Sequence, residues 1–116
     1  MTRRELIEHC LTYPDAVEDY PFDAPSDPGA WTAMRHIGTG RIFALIYERD
    51  GLCVNLKCEP MRSAFLRGVY SGVLPAYHMN KEHWNTVRLA CDVPEEELFD
   101  MIDISYRLTA QKSKRK

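Results

Sequence analysis

The stretch "AMRHIGTGRIFALIYERDGLCVNLKC", Ala33–Cys58, decides the fold class. It reads as three strands joined by two turns. Gly38-Thr39-Gly40 breaks the apolar pattern once. Asp50-Gly51 breaks it again with a type I′ hairpin signal, because both residues tolerate positive φ cheaply. Between the turns, Phe43, Leu45 and Tyr47 alternate with Ile42, Ala44 and Ile46, so this strand is apolar on both faces and central in a sheet. In the next strand Leu52, Val54 and Leu56 alternate with Cys53, Asn55 and Lys57, giving one core face and one wetter face.

Working outward, "EPMRSAFLRGV" has helical spacing, with Met61, Ala64, Phe65 and Val69 expected inward and Arg62 and Arg67 toward solvent. "HWNTVRL" alternates as a strand, with Trp84, Thr86 and Arg88 on one side and Asn85, Val87 and Leu89 on the other. "DVPEEELFDMIDISYRLTA" is a helix capped by Asp92 or Val93, with Pro94 in its first turn and Glu95–Glu97 complementing its positive end. Its inner stripe is Leu98, Met101, Ile102, Ser105 and Tyr106. Upstream, Thr2 and Glu5 form a capping box before a helix over residues 3–12, which Tyr13-Pro14 ends. A short strand over Ala16–Glu18 and an acidic, proline-rich surface loop, "YPFDAPSDPGA", precede the three strands. The elements describe an α+β domain: an antiparallel sheet with helices packed on one face and the other face left bare. Residues 1–110 make one domain, and 111–116, "QKSKRK", a basic tail.

Composition narrows the function classes. The chain has 116 residues, 45% hydrophobic and 28% charged, a soluble globular profile. No apolar run reaches the roughly 20 residues of a membrane helix, and the N-terminus lacks a signal peptide, so the expected location is the cytoplasm. The four cysteines form no C-x-x-C pair and are read as reduced and mostly packed. Net charge is −2, but its distribution is uneven. Residues 57–88 carry Lys57, Arg62, Arg67, Lys81 and Arg88 against Glu59 and Glu82, a basic island in an acidic chain.

Within that island "PAYHMNKEHWNTVRL", Pro75–Leu89, concentrates the conspicuous chemistry. A zinc motif is excluded by spacing. His78 and His83 are five apart, about 140° around a helix, and on opposite faces of a strand. No G-x-S-x-G, phosphate loop or dinucleotide fingerprint occurs. Cys58 sits just before a helix N-terminus that could lower its pKa, but a cysteine at a strand end is read as packed. The expectation is therefore a non-enzymatic chain with no cofactor and no metal. What remains is a surface on which Tyr77, His78, His83 and Trp84 stack on bases or sugars. Lys57, Arg62, Arg67, Lys81 and Arg88 then meet phosphates. The expected partner is double-stranded DNA. The alternative is a protein-interaction or small-ligand module using the uncovered sheet face. A third reading places weak cation binding on Glu95–Glu97 and Asp100.

The strings "PAYHMNKEHWNTVRL" and "VPEEELFDMIDISYRL", with "YPDAVEDYPF" and "IFALI…LCVNLKCEP", closely resemble the MmcQ/YjbR-like family of small bacterial proteins. The resemblance spans roughly residues 3–110. It implies a frataxin-like (CyaY-like) α+β fold and a DNA-binding role through a double-wing arrangement of strands. It also puts Lys57, Lys81, His83 and Trp84 at motif positions. Two residues depart from the family pattern: Ala76 stands where glycine is frequent, and Glu82 where a second basic residue is frequent.

Overall fold

The computed structural model describes residues 1–22, 24, 26–27 and 29–110. The tail expectation for 111–116, and part of the proline-rich loop, lie outside the described residues.

The hairpin stretch folds as the sequence predicts. Strands β1 (Ala16–Asp19), β2 (Thr32–His36), β3 (Ile42–Glu48), β4 (Leu52–Lys57), β5 (Val73–Pro75) and β6 (Trp84–Arg88) form one antiparallel sheet in the order β1-β2-β3-β4-β6-β5. Asp50 and Gly51 take the expected positive φ, 55° and 113°, at the β3–β4 turn, but Glu48 pairs with Leu52, so the loop has three residues rather than the two of a type I′ hairpin. β5 has no counterpart among the expected strands, because "VLP" is too short to show a period.

Three helices cover one face: α1 (Arg3–Cys10), α2 (Pro60–Val69) and α3 (Glu95–Thr109). The Thr2–Glu5 capping box is formed, and α1 ends at Cys10, short of residue 12. α3 buries Leu98, Met101, Ile102 and Ser105, the expected stripe, against Ala44, Ile46, Val54 and Leu56. Its cap differs from expectation. Pro94 is the N-cap residue with no side-chain bond, and Asp92 instead accepts from the amides of Ser71 (2.7 Å) and Gly72 (2.8 Å).

A bulge between Met34 and Arg35 pairs Arg35 with Ile42 and skips Phe43. Phe43 thereby joins the helix-side core, where its ring meets Tyr13, His36 and Tyr106. Beyond the last β3–β4 rung, the Ser105 hydroxyl donates to Phe43 O (2.6 Å) and accepts from Lys57 N (2.8 Å). One α3 side chain thus stitches two strands where their ladder ends.

Helix α2 is rotated relative to expectation. Ser63 and Leu66 face the core, while Met61 is 88% exposed and Phe65 63% exposed, with Val69 also outside. Arg62 and Arg67 therefore lie on the inner side. The reason is polar: Arg62 reaches Glu97 (3.2 Å) and Asp100 (3.7 Å) on α3, and Arg67 donates to Asn85 Oδ1 (2.7 Å), Trp84 O (3.3 Å) and Lys81 O. The two guanidinium groups thus meet their partners along the inner edge of the helix, while their stems cover apolar surface. Leu66→Ala is expected to cost about 2–5 kcal/mol in chemical denaturation, and Phe65→Ala about 0.5 kcal/mol or less. Equal losses would restore the opposite helix phase.

Two histidines sit on the helix side. His36 Nε2 lies 2.8 Å from Thr109 Oγ1, and burial, aided by the Arg41 charge, holds its pKa below the usual 6.5. His9 stacks on Phe99 at 3.8 Å, and burial lowers its pKa as well, against the pull of Glu95. As pH falls through about 6.5 the unfolded chain takes up these protons first, so it binds more protons and stability drops. The melting temperature should therefore fall between about pH 7.5 and 5.5, and a His9→Gln/His36→Gln variant should flatten that interval.

Candidate nucleic-acid interface

The face opposite the helices is not bare. Register places its inward-to-solvent side chains in three rows. Arg35, Ile42, Lys57 and Trp84 form the lower row, Leu45, Asn55, Thr86 and Leu74 the middle row, and Tyr47, Cys53 and Arg88 the upper row. The middle row is buried except at Leu74, because the chain from Ala76 to His83 crosses over it. Asn55, fully buried, accepts at Oδ1 from the Thr86 hydroxyl (2.6 Å) and the Tyr47 hydroxyl (2.8 Å). Its Nδ2 donates to Tyr77 O (2.8 Å), and Tyr77 N donates to Thr86 Oγ1 (3.0 Å). Polar residues on the wetter face of β4 and β6 thus act as anchors for the crossing loop. Trp31 stacks on Tyr47 at 4.2 Å and 8° and closes the same face from the other side.

Below the loop lies an open cleft of about 540 Å³ lined by Arg35, Arg41, Ile42, Lys57, Met79 and Trp84, with Leu108 and Thr109 at its edge. Among the described residues no carboxylate lines it. Arg35 is partly neutralised, pairing with Asp19 (2.8 Å) and donating to Gly40 O (2.8 Å). Lys57 and Arg41 form no ion pair among the described residues. Trp84, half-buried, presents its indole here rather than docking β6 into the core.

The nine residues singled out in the sequence do not share one surface. Lys57 and Trp84, paired in register across β4 and β6, share the cleft. Arg62 and Arg67 are engaged beneath α2. Lys81 turns back to Ala76 O (2.8 Å), holding its own loop. Tyr77 and Arg88 lie above the crossing loop, where Arg88 donates to Asp50 O (2.9 Å) and Arg49 sits 3.8 Å over the Tyr77 ring. His78, at φ 64°, and the half-buried His83 stand toward opposite ends of the crossing segment. Asn80 supplies the turn there, its Oδ1 accepting from Glu82 N (2.8 Å) and His83 N (3.2 Å). Two cleft cations, Arg35 and Arg41, were missed by sequence reasoning. They lie outside the basic island, and only the β2–β3 register brings them beside Lys57.

Two of the four thiols are held in their neutral form. Cys10 is pushed up to about 12 by burial, and burial also raises Cys53. Among the described residues, no cluster of three or more His, Cys, Asp or Glu is arranged to hold a metal ion, and Glu97 and Asp100 are engaged by Arg62. No helix among the described residues is long and apolar enough to cross a membrane.

The crossing loop stands on Asn55. Asn55→Ala should cost about 1–3 kcal/mol by leaving buried Tyr77 and Tyr47 polar groups unpaired. Amide exchange should quicken at Tyr77 and Met79, while the amides of α3 stay protected; unchanged exchange in the loop would remove the anchoring role.

Sequence and structure comparisons place this arrangement among known proteins. The YjbR family profile matches residues 11–108. The uncharacterized protein YjbR of Escherichia coli K12 is 32% identical over 108 residues, covering 92% of this chain and 86% of that one. The uncharacterized protein YyaQ of Bacillus subtilis is 32% identical over 120 residues, covering 94% and 98%. A Pseudomonas syringae protein of known crystal structure superposes with a TM-score of 0.80 at 30% identity, over 95% of this chain and all of that one. A Deinococcus radiodurans protein with the DUF419 domain gives 0.78 at 34% identity, over 92% and 77%. With the profile spanning nearly the whole sheet and α3, the chain belongs to the YjbR family.

Proposed function

We propose that the chain is a non-enzymatic, cytoplasmic DNA-binding module whose contact surface is the cleft of Arg35, Arg41, Lys57 and Trp84. The observation that carries this reading is the lower row of the sheet: cations flank an accessible indole, and among the described residues no carboxylate lines the cleft. Cations without ion-pair partners release counterions from a phosphate backbone, and an indole offers a sequence-tolerant stacking surface. The basic island as a whole does not serve. Arg62 and Arg67 already have partners, so breaking their bonds would offset any phosphate contact.

A second reading, a protein-interaction module, draws on the outward Met61, Phe65 and Val69 of α2. It predicts no DNA retention at any salt.

Affinity for duplex DNA should fall with salt by about 0.9 in log K per phosphate neutralised. Arg41→Glu/Lys57→Glu should abolish retention at low salt. Trp84→Ala should weaken retention of a single-stranded oligonucleotide, whose bases are free to stack, by about 1–3 kcal/mol. Arg88→Gln, above the crossing loop, should leave duplex retention nearly unchanged. Absent retention by the parent chain, or retention indifferent to the double charge reversal, overturns the proposal.

A further inference from the structure

Above the crossing loop, on the same sheet face, lies a second concavity of about 230 Å³ that the DNA reading does not use. Its floor is Tyr47 and Cys53 of the upper row with Thr86 of the middle row, all nearly or fully buried. Two guanidinium groups stand over that floor, Arg49 from the β3–β4 turn and Arg88 from the end of β6. Apolar walls come from the Tyr77 ring and from Leu74 and Pro75 of β5.

Both guanidiniums are positioned by contacts that leave their charge unneutralised. Arg49 is held 3.8 Å over the Tyr77 ring, and Arg88 by one bond to the Asp50 carbonyl (2.9 Å). Neither forms an ion pair among the described residues, although the exposed Asp50 stands on the same rim. At the floor, burial holds the Cys53 thiol above its usual pKa, with the Arg88 and Arg49 charges opposing that rise and Glu48 adding to it. Planar forks with N–H groups to spare match a carboxylate's two oxygens. An aromatic ring and an aliphatic wall match a flat apolar body. The volume lies below the roughly 300–1,000 Å³ of pockets for drug-sized ligands, which sets the occupant's size.

We infer that this concavity is a binding site for a small organic carboxylate with a flat, apolar body, its carboxylate held by Arg49 and Arg88 and its body against Tyr77 and Leu74. The site is independent of the DNA cleft, and a chain that fails to retain DNA still binds such an anion.

The probe is benzoate, titrated into the full chain by calorimetry and followed by amide NMR shifts. Benzamide serves as the neutral isostere, and inorganic phosphate as a compact anion. Saturable benzoate binding should move the amides of Arg49, Cys53, Thr86 and Arg88, with benzamide at least about tenfold weaker. Arg49→Gln/Arg88→Gln should weaken benzoate about tenfold or more. Leu74→Glu puts a negative charge on the exposed rim without touching either arginine, and should weaken it too. Circular dichroism confirms that each variant is folded. The inference is overturned if benzoate and benzamide bind alike, or if phosphate saturates and benzoate does not. It is equally overturned if the shifts cluster at Lys57 and Trp84, or if folded Leu74→Glu binds benzoate as tightly as the parent.

Discussion

The buried amide of Asn55 is the point on which the functional face turns. A side chain with two donors and a two-lone-pair acceptor, fully removed from water, is stable only if its partners are in place. Here Thr86, Tyr47 and Tyr77 supply them: two hydroxyls donate to Oδ1 and one carbonyl accepts from Nδ2. The Tyr77 amide then closes the circuit onto Thr86. Because the partners come from β3, β6 and the crossing segment, this single amide sets the loop's height over the sheet. It divides one face into two compartments, cleft below and concavity above.

That division explains why the cations separate. Charge on a folded surface is useful only where the side chain has no better partner nearby, and three members of the basic island have one. Arg62 answers the acidic side of α3, Arg67 satisfies carbonyls at the entry of β6, and Lys81 ties its own loop to Ala76. Cations without an ion pair among the described residues remain at Lys57 and Arg41 below and at Arg49 and Arg88 above, the upper pair sharing its rim with Asp50. A net charge of −2 therefore hides two positive compartments, because the acidic residues of α3 lie on the helix-covered side.

Much of the architecture was legible. The period of two in Ile42–Lys57, the Asp50-Gly51 turn and the α3 stripe each carry a strong local signal, and each is found in the fold. The failures have specific physical origins. In α2 the apolar period was read as burial, yet polar partners at long sequence separation, Glu97 and Asn85, set the helix phase. Asp92 looked like a cap but found better donors at Ser71 and Gly72, close to where the chain enters β5. The sheet face expected to be bare is crossed by the very loop singled out for its chemistry, a contact no local pattern encodes. Within the candidate site, the Lys57–Trp84 pair was visible by composition, but the bulge that brings Arg35 beside Ile42 was not.

The two compartments share a wall, and the sharing has a mechanical consequence. Tyr77 faces the upper concavity and Met79, two residues on, faces the lower cleft. Between them His78 sits at φ 64°, a conformation disfavoured for a side chain with a Cβ and held here by the contacts on either side. The segment is held at both ends, at Tyr77 by Asn55 and Thr86 and at Lys81 by its bond to Ala76 O and by Arg67, so the wall stays in place whichever compartment is filled. The opposite edge of the cleft is fixed as well, since Thr109 is held by bonds to the Ser105 carbonyl (2.8 Å) and to His36 (2.8 Å). One loop thus serves as the boundary of two separate sites, because its anchors are side chains buried beneath it rather than groups that either site must spend on a ligand.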